Sequence, residues 1–358
     1  MSFFRGLTDK IKDKVGDVIT DIVNEKRGHG QEGGDGESSS MAPTEQLTSN
    51  CTGRKKALFV GINYKGTKAE LRGCINDVHN ISSYLFNNWG FSRQNSVILT
   101  DDQSDPNALP TKNNILAAMQ WLVRDAQPND SLLFHYSGHG SKQKDEDGDE
   151  EDGHDETIVP LDYEKAGQIT DDTLHDVLVK SLPAGVRLTC IMDCCHSGTI
   201  IDLPFVYNVK GEIEMTLSKR RTGEAIDLLK QAGMAYSSGN KMQALMSAAA
   251  GMKLLFKPPP PQQSEEALKV QREKASAADI LSFSGCRDDQ TSADAQIGGQ
   301  FTGALSHALI QTLSQSNGHN LSFTQLLESV RDILKNGYSQ IPQMSSGRLV
   351  DLNSRFCL

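Results

Sequence analysis

"SLLFHYSGHG" occupies residues 131–140: an apolar run that ends in a glycine-rich loop carrying His139. A short apolar run bounded by turn residues reads as a buried strand. A second stretch, "VRLTCIMDCCHSG" (186–198), has the same form, a strand running into a loop with Cys194, Cys195 and His196. Working outward, "KALFVGIN" (56–63), "SVILT" (96–100), "ETIVPLD" (156–162) and "ADILSFSGC" (278–286) also read as strands. Helical spacing falls between them over 73–89, 111–126 and 171–182, with Thr111 placed as an N-cap, and two more helices are expected near 302–315 and 322–336. This alternation predicts an α/β domain with a mostly parallel sheet flanked by helices.

The 358 residues are enough for a sizeable core. A formal net charge of −10 argues against a nucleic-acid partner. Seven cysteines, an odd number without framework spacing, point to a reducing, cytoplasmic setting. No run of 18 apolar residues is present, so no membrane span is expected. Residues 1–54 read as an amphipathic helix (1–27) and a Gly/Ser-rich linker (28–50), with the compact domain starting near Lys55. The helix balances Arg5, Lys10, Lys12 and Lys14 against Asp9, Asp13, Asp17 and Asp21, which disfavours a membrane surface. The expected division beyond it is a region 55–210, an insertion at 211–277 that is polar, helix-prone and rich in basic residues, and a region 278–358 completing the same domain, as a monomer.

In an open parallel sheet, sites form at the carboxyl ends of strands. A thiol needs a neighbouring imidazole to become a nucleophile, so His139 with one of the two adjacent cysteines forms a candidate dyad. The glycines around them allow backbone N–H groups to approach a reacting carbonyl. Cys190, inside "LTCIM", reads as core, and His135 and His196 as structural. Zinc is disfavoured because Cys194 and Cys195 are adjacent and no second pair completes a site.

The pair "HYSGHG" and "DCCHSG", with "ALFVGINY", "LRGCINDV", "DLPFVY", "SGCRDDQTSAD" and "SQIPQMSS", resembles the metacaspases, caspase-like cysteine peptidases, and specifically their type I. The likeness covers about residues 55–210 and 278–358 and departs in the N-terminal segment. It implies a caspase–haemoglobinase-like fold, Cys195 as nucleophile, His139 as base, and the N–H groups of Cys195 and Gly140 as the oxyanion hole. Cys194 would then point elsewhere.

Asp193 lies two residues before Cys195, and Asp77 at another strand-to-helix junction, unless it is merely the N-cap of its helix. Two desolvated carboxylates in one pocket repel, and a cation relieves the repulsion. The resemblance implies a pocket of Cys74, Asp77, Ser137 and Asp193, taking Arg or Lys before the scissile bond of a protein or peptide substrate. It also implies calcium (Ca2+) activation, with Asp155, Asp171, Asp172 and Asp202 as ligands. The acidic run "KDEDGDEEDGHDE" (144–156) is not an EF-hand, since Glu150 stands where that loop needs Gly. The leading expectation is therefore a calcium-dependent, self-processing cysteine endopeptidase. The competing classes are a non-catalytic calcium-responsive scaffold or aggregate-binding factor, and a redox sensor using the strained Cys194–Cys195 pair.

Overall fold

The computed structural model describes residues 48–144, 154–194, 200–207, 213–215, 276–285, 294–297, 300–315, 320–335 and 342–358. The expected N-terminal helix, the acidic run 145–153, Cys195, His196, Cys286 and nearly all of the insertion lie outside them.

The chain order is β1 (Lys55–Gly61), α1 (Cys74–Asn88), β2 (Ser96–Thr100), α2 (Lys112–Val123), β3 (Ser131–Ser137), β4 (Gly140–Lys144), β5 (His154–Ile158), α3 (Tyr163–Ala166), β6 (Ile169–Thr170), α4 (Asp171–Leu178) and β7 (Arg187–Asp193). Then follow β8 (Phe205–Tyr207), β9 (Ile213–Met215), β10 (Asp279–Ser284), β11 (Asp294–Ile297), β12 (Gln300–Gly303), α5 (Ala304–Gln315), α6 (Phe323–Lys335) and β13 (Gln343–Ser346). The main sheet runs β2-β1-β3-β7-β10-β13-β8-β9. Its first five strands are parallel and β13, β8 and β9 are antiparallel.

Alternation along each strand sorts side chains onto two faces. Leu58, Val60, Leu132, Phe134, Tyr136, Leu188, Cys190, Met192 and Cys194 pack with Met119 and Leu122 of α2 and Leu174 of α4. Ala57, Phe59, Leu133 and Ile191 face the other way, onto Val78 and Ile81 of α1, Leu305 and Leu309 of α5 and Leu326 of α6. Both faces being covered explains why the central strands are apolar runs rather than alternating ones. Thr111 caps α2 as expected, its side chain accepting from the Asn114 N–H.

Three expectations change. "ETIVPLD" is not a strand of the main sheet: β5 ends at Ile158 and pairs antiparallel with β4 and β6 in a separate three-stranded sheet. Pro160 has no N–H to continue the ladder. The described residues at the start of the insertion, Ile213–Met215, form a strand: β9 pairs with β8, and the two extend the sheet beyond β13. Residues 48–54, read as part of the N-terminal segment, pack on the domain: Cys51 is buried and the Gly53 N–H donates to the Asn129 carbonyl at 2.8 Å.

Candidate active site

The parallel pairing of β3 and β7 puts Ser137 directly opposite Asp193. His139 lies two residues beyond Ser137, and position 195, outside the described residues, lies two beyond Asp193. Both reactive stretches therefore leave the sheet side by side at its carboxyl edge.

His139 is held from three sides. Its backbone N–H donates to Tyr64 Oη at 3.0 Å, and Tyr136 Oη donates to its carbonyl at 2.8 Å. Its ring lies against that of Tyr64, centroids 4.8 Å apart. Nε2 sits 2.7 Å from the Ala69 carbonyl. A carbonyl only accepts, so Nε2 carries the proton, and in the neutral ring Nδ1 carries the lone pair. Gly138 is required by close approach, since a Cβ there would stand 2.7 Å from Tyr136 Oη. Gly140 opens β4, opposite Ile158.

Cys194 is fully buried on the α2/α4 face, among Cys190 and Met192. Asp193, one residue earlier, belongs to the opposite face, as strand alternation requires. Cys194 thus points away from the carboxylates.

The four pocket residues are all buried: Cys74, Asp77, Ser137 and Asp193. Asp77 is not an N-cap; α1 starts after Gly73 without a side-chain cap, and Asp77 lies in its first turn. Ser137 Oγ donates to Asp77 Oδ2 at 2.6 Å. The Gly303 N–H donates to Asp77 Oδ1 at 2.6 Å and Thr302 Oγ1 donates to the same oxygen. Asp193 Oδ2 accepts from the Ser306 N–H at 2.9 Å, in the first turn of α5, where a helix favours negative charge. Ser306 Oγ also lies 3.0 Å from Nε2 of His135, which burial pushes down to about 3 and so keeps neutral. Burial, then the neighbouring Asp193 charge, pushes Asp77 up to about 8. Asp77 therefore keeps its proton near neutral pH beside the Asp193 charge.

Four contributors escaped sequence reading. Thr302, Gly303 and Ser306 come from the last third of the chain, where the stretch after "SGCRDDQTSAD" carries no acidic or basic residue and no cysteine before His307 to attract attention. Ala69 acts through its backbone alone, which no side-chain pattern announces.

The expected calcium residues fall into two parts. Asp171 Oδ2 accepts from the Glu156 N–H at 3.1 Å, placing it beside Asp155, and its Oδ1 accepts from the Asp172 N–H at 3.0 Å. Asp172 and Asp202 both bear electrostatically on Lys180. Among the described residues no three or more His, Cys, Asp or Glu side chains form a group able to hold a metal ion.

The sequence matches the family described as metacaspase, peptidase C14 domain, over residues 55–204. Metacaspase-1 of Scheffersomyces stipitis is 50% identical over 311 residues, 87% of this chain and 75% of that protein. Metacaspase-1 of Schizosaccharomyces pombe is 48% identical over 306 residues, 85% of this chain and 70% of that protein. Among solved structures, protein GSU0716 from Geobacter sulfurreducens superposes with a TM-score of 0.52 at 22% identity, covering 85% of this chain and 98% of that one, which shows a shared fold. A parallel sheet with a histidine loop and a cysteine loop leaving neighbouring strands is the architecture of the caspase-like cysteine peptidases. Within that class the chain belongs to the metacaspases, and it is a cysteine-type peptidase acting on protein substrates.

Proposed function

We propose that the protein is an endopeptidase that cleaves after Arg or Lys, with Cys195 as nucleophile and His139 as its base. The buried Asp77–Asp193 pair carries this reading. Two buried carboxylates, one of them held protonated beside the other's charge, form a site tuned to a guanidinium or ammonium group. In this mechanism His139 Nδ1 takes the thiol proton of Cys195, and the thiolate attacks the scissile carbonyl. The N–H groups of Cys195 and Gly140 would hold the oxyanion. His139 then passes the proton to the leaving amine, and water hydrolyses the thioester. Ala69 supports the step by accepting from Nε2, which stabilises the imidazolium as it forms. The test is turnover of matched peptides ending in Arg, Lys or Asp before the cut; efficient cleavage after Asp would exclude the acidic-pocket reading.

The proposal includes calcium activation through Asp155, Asp171, Asp172 and Asp202. Asp171 accepts the Glu156 and Asp172 amides, and its two carboxylate oxygens keep further lone pairs with which to hold an ion. It also includes self-processing within 210–275, where Lys219, Arg220, Arg221, Lys230 and Lys241 offer basic cut sites. Mass spectrometry before and after calcium addition, in wild type and Cys195→Ala, tests both.

A further inference from the structure

Far from the acidic pocket, two cysteines that the proposed chemistry does not use face each other. Cys51 Sγ and Cys357 Sγ stand 2.9 Å apart although 306 residues separate them. A disulfide requires about 2.05 Å, so the sulfurs need to close by only about 0.9 Å. Neither thiol sits on a loose segment. The segment around Cys51 is tied down on both sides, with the Asn50 N–H donating to Asn129 Oδ1 at 3.2 Å and the Gly53 N–H to the Asn129 carbonyl. Cys357 follows Phe356, which packs edge-on against Trp89, Phe283 and Phe323, and whose N–H donates to the Leu321 carbonyl at 2.8 Å. Arg187 Nη1 donates to the Cys357 carbonyl at 3.1 Å.

We propose that Cys51 and Cys357 form a reversible disulfide that clasps the segment entering β1 to the segment following β13. The surroundings divide the two roles. Cys357 is half-buried and Cys51 buried, so a small oxidant reaches Cys357 first. Hydrogen bonding from Cys51, opposed by burial and aided by the Arg187 charge, draws the Cys357 thiol down to about 6 and marks it as the thiolate. The cations Arg187 and Lys55 beside it favour an anion and disfavour a metal ion between the sulfurs. Cys51 is held up as the protonated thiol, first by that same hydrogen bond and then by burial.

With hydrogen peroxide as oxidant, the Cys357 thiolate attacks one peroxide oxygen. This gives a sulfenic acid and releases hydroxide, which takes up a proton as water. Cys51 sulfur then attacks the Cys357 sulfur, expelling the sulfenic oxygen as a second water with the Cys51 proton. Two thiols and one peroxide become one disulfide and two waters, and two equivalents of a small thiol reverse it. In a reducing setting such a bridge is a response to oxidation rather than a permanent staple. The clasp lies at the amino ends of β1 and β7, where Lys55 and Arg187 begin their strands, whereas His139 and Asp193 lie at the carboxyl ends. Closing it leaves the peptidase site undisturbed.

The experiment treats the full-length protein, freed of reductant, with one equivalent of hydrogen peroxide. Free thiols are then blocked, and the protein is digested without reduction for mass spectrometry. The expected result is one dominant cross-linked pair of peptides, those of Cys51 and Cys357, two mass units lighter than their sum and restored by dithiothreitol. In Cys51→Ser, Cys357 is expected to accumulate as a sulfenic acid trapped by a 1,3-dione. Recovery of unbridged Cys51 and Cys357 from oxidised wild type, or bridging of either to another cysteine instead, would overturn the proposal.

Discussion

Asp77 and Asp193 meet under a single glycine. A Cβ on Gly303 would stand 2.1 Å from Asp193 Oδ2 and 2.7 Å from Asp77 Oδ2, so the backbone of β12 lies directly on both carboxylates. Two buried carboxylates, one from α1 and one from β7, share this site, and their donors come from β3, β12 and the start of α5.

Gly303→Ala should therefore lift β12 off the pair. Forcing a methyl group into a close-packed, polar contact costs about 1–3 kcal/mol. Urea unfolding is expected to show a lower midpoint. Turnover of Arg peptides should fall at least tenfold, because the pocket wall no longer holds its place.

The raised Asp77 makes stability depend on pH with a definite sign. Asp77 titrates near 8 in the folded chain and near 3.8 when unfolded. Between those values the native state holds the extra proton, so this contribution is complete below about pH 4 and is lost as pH rises through 8. The stability difference between wild type and Asp77→Asn should shift against the wild type from pH 5 to pH 8. Binding of an Arg-containing inhibitor near neutral pH should release about one proton, readable as a buffer-dependent binding enthalpy. No proton release would show that the pair is already fully ionised.

Cys194 and Cys195 should separate cleanly. Cys195→Ala is expected to abolish peptidase activity. Cys194→Ala should keep most of it while losing about 1 kcal/mol of stability, since it empties part of a fully buried position. A dead Cys194→Ala with unchanged folding would reverse the assignment.

Ser306 tests the second layer of the pocket. Ser306→Ala leaves the Asp193 bond intact, because that bond uses the backbone N–H, but removes the hydroxyl partner of His135. Leaving a buried ring nitrogen unsatisfied costs about 1–3 kcal/mol. The expected signature is lower thermal stability with the preference for Arg over Asp retained.

Calcium dependence can be probed at Asp171. Asp171→Asn keeps an oxygen to accept an amide but loses the charge, so folding should survive while calcium stimulation falls steeply. Magnesium should not replace calcium in the wild type, because it demands strict six-fold geometry and sheds water reluctantly. Equal activity in calcium and in chelator would refute the switch.

The parallel part of the main sheet was legible because its central strands are buried on both faces and its helices on one. Runs such as "SLLFHY" and "VRLTCIM" and the spacing of Val78, Ile81 and Leu85 carry that burial openly. β4, β6, β8, β9, β11, β12 and β13 were not legible. They are two to five residues long, and an antiparallel strand is stabilised by pairing with its neighbour more than by its own side-chain pattern.

The same division holds at the site. Sequence alone determined that a histidine and a cysteine leave strand ends, and motif likeness named Cys195, Asp77 and Asp193, because these roles demand particular side chains. Only the tertiary structure decided which ring nitrogen of His139 is protonated, since an alanine carbonyl does it. Only the tertiary structure brought Thr302, Gly303 and Ser306 onto carboxylates more than a hundred residues earlier in the chain. And only packing set Cys51 against Cys357, two thiols that no spacing rule would pair. Backbone groups and long-range contacts carry no local signature, so what they contribute becomes visible when the sheet has closed around them.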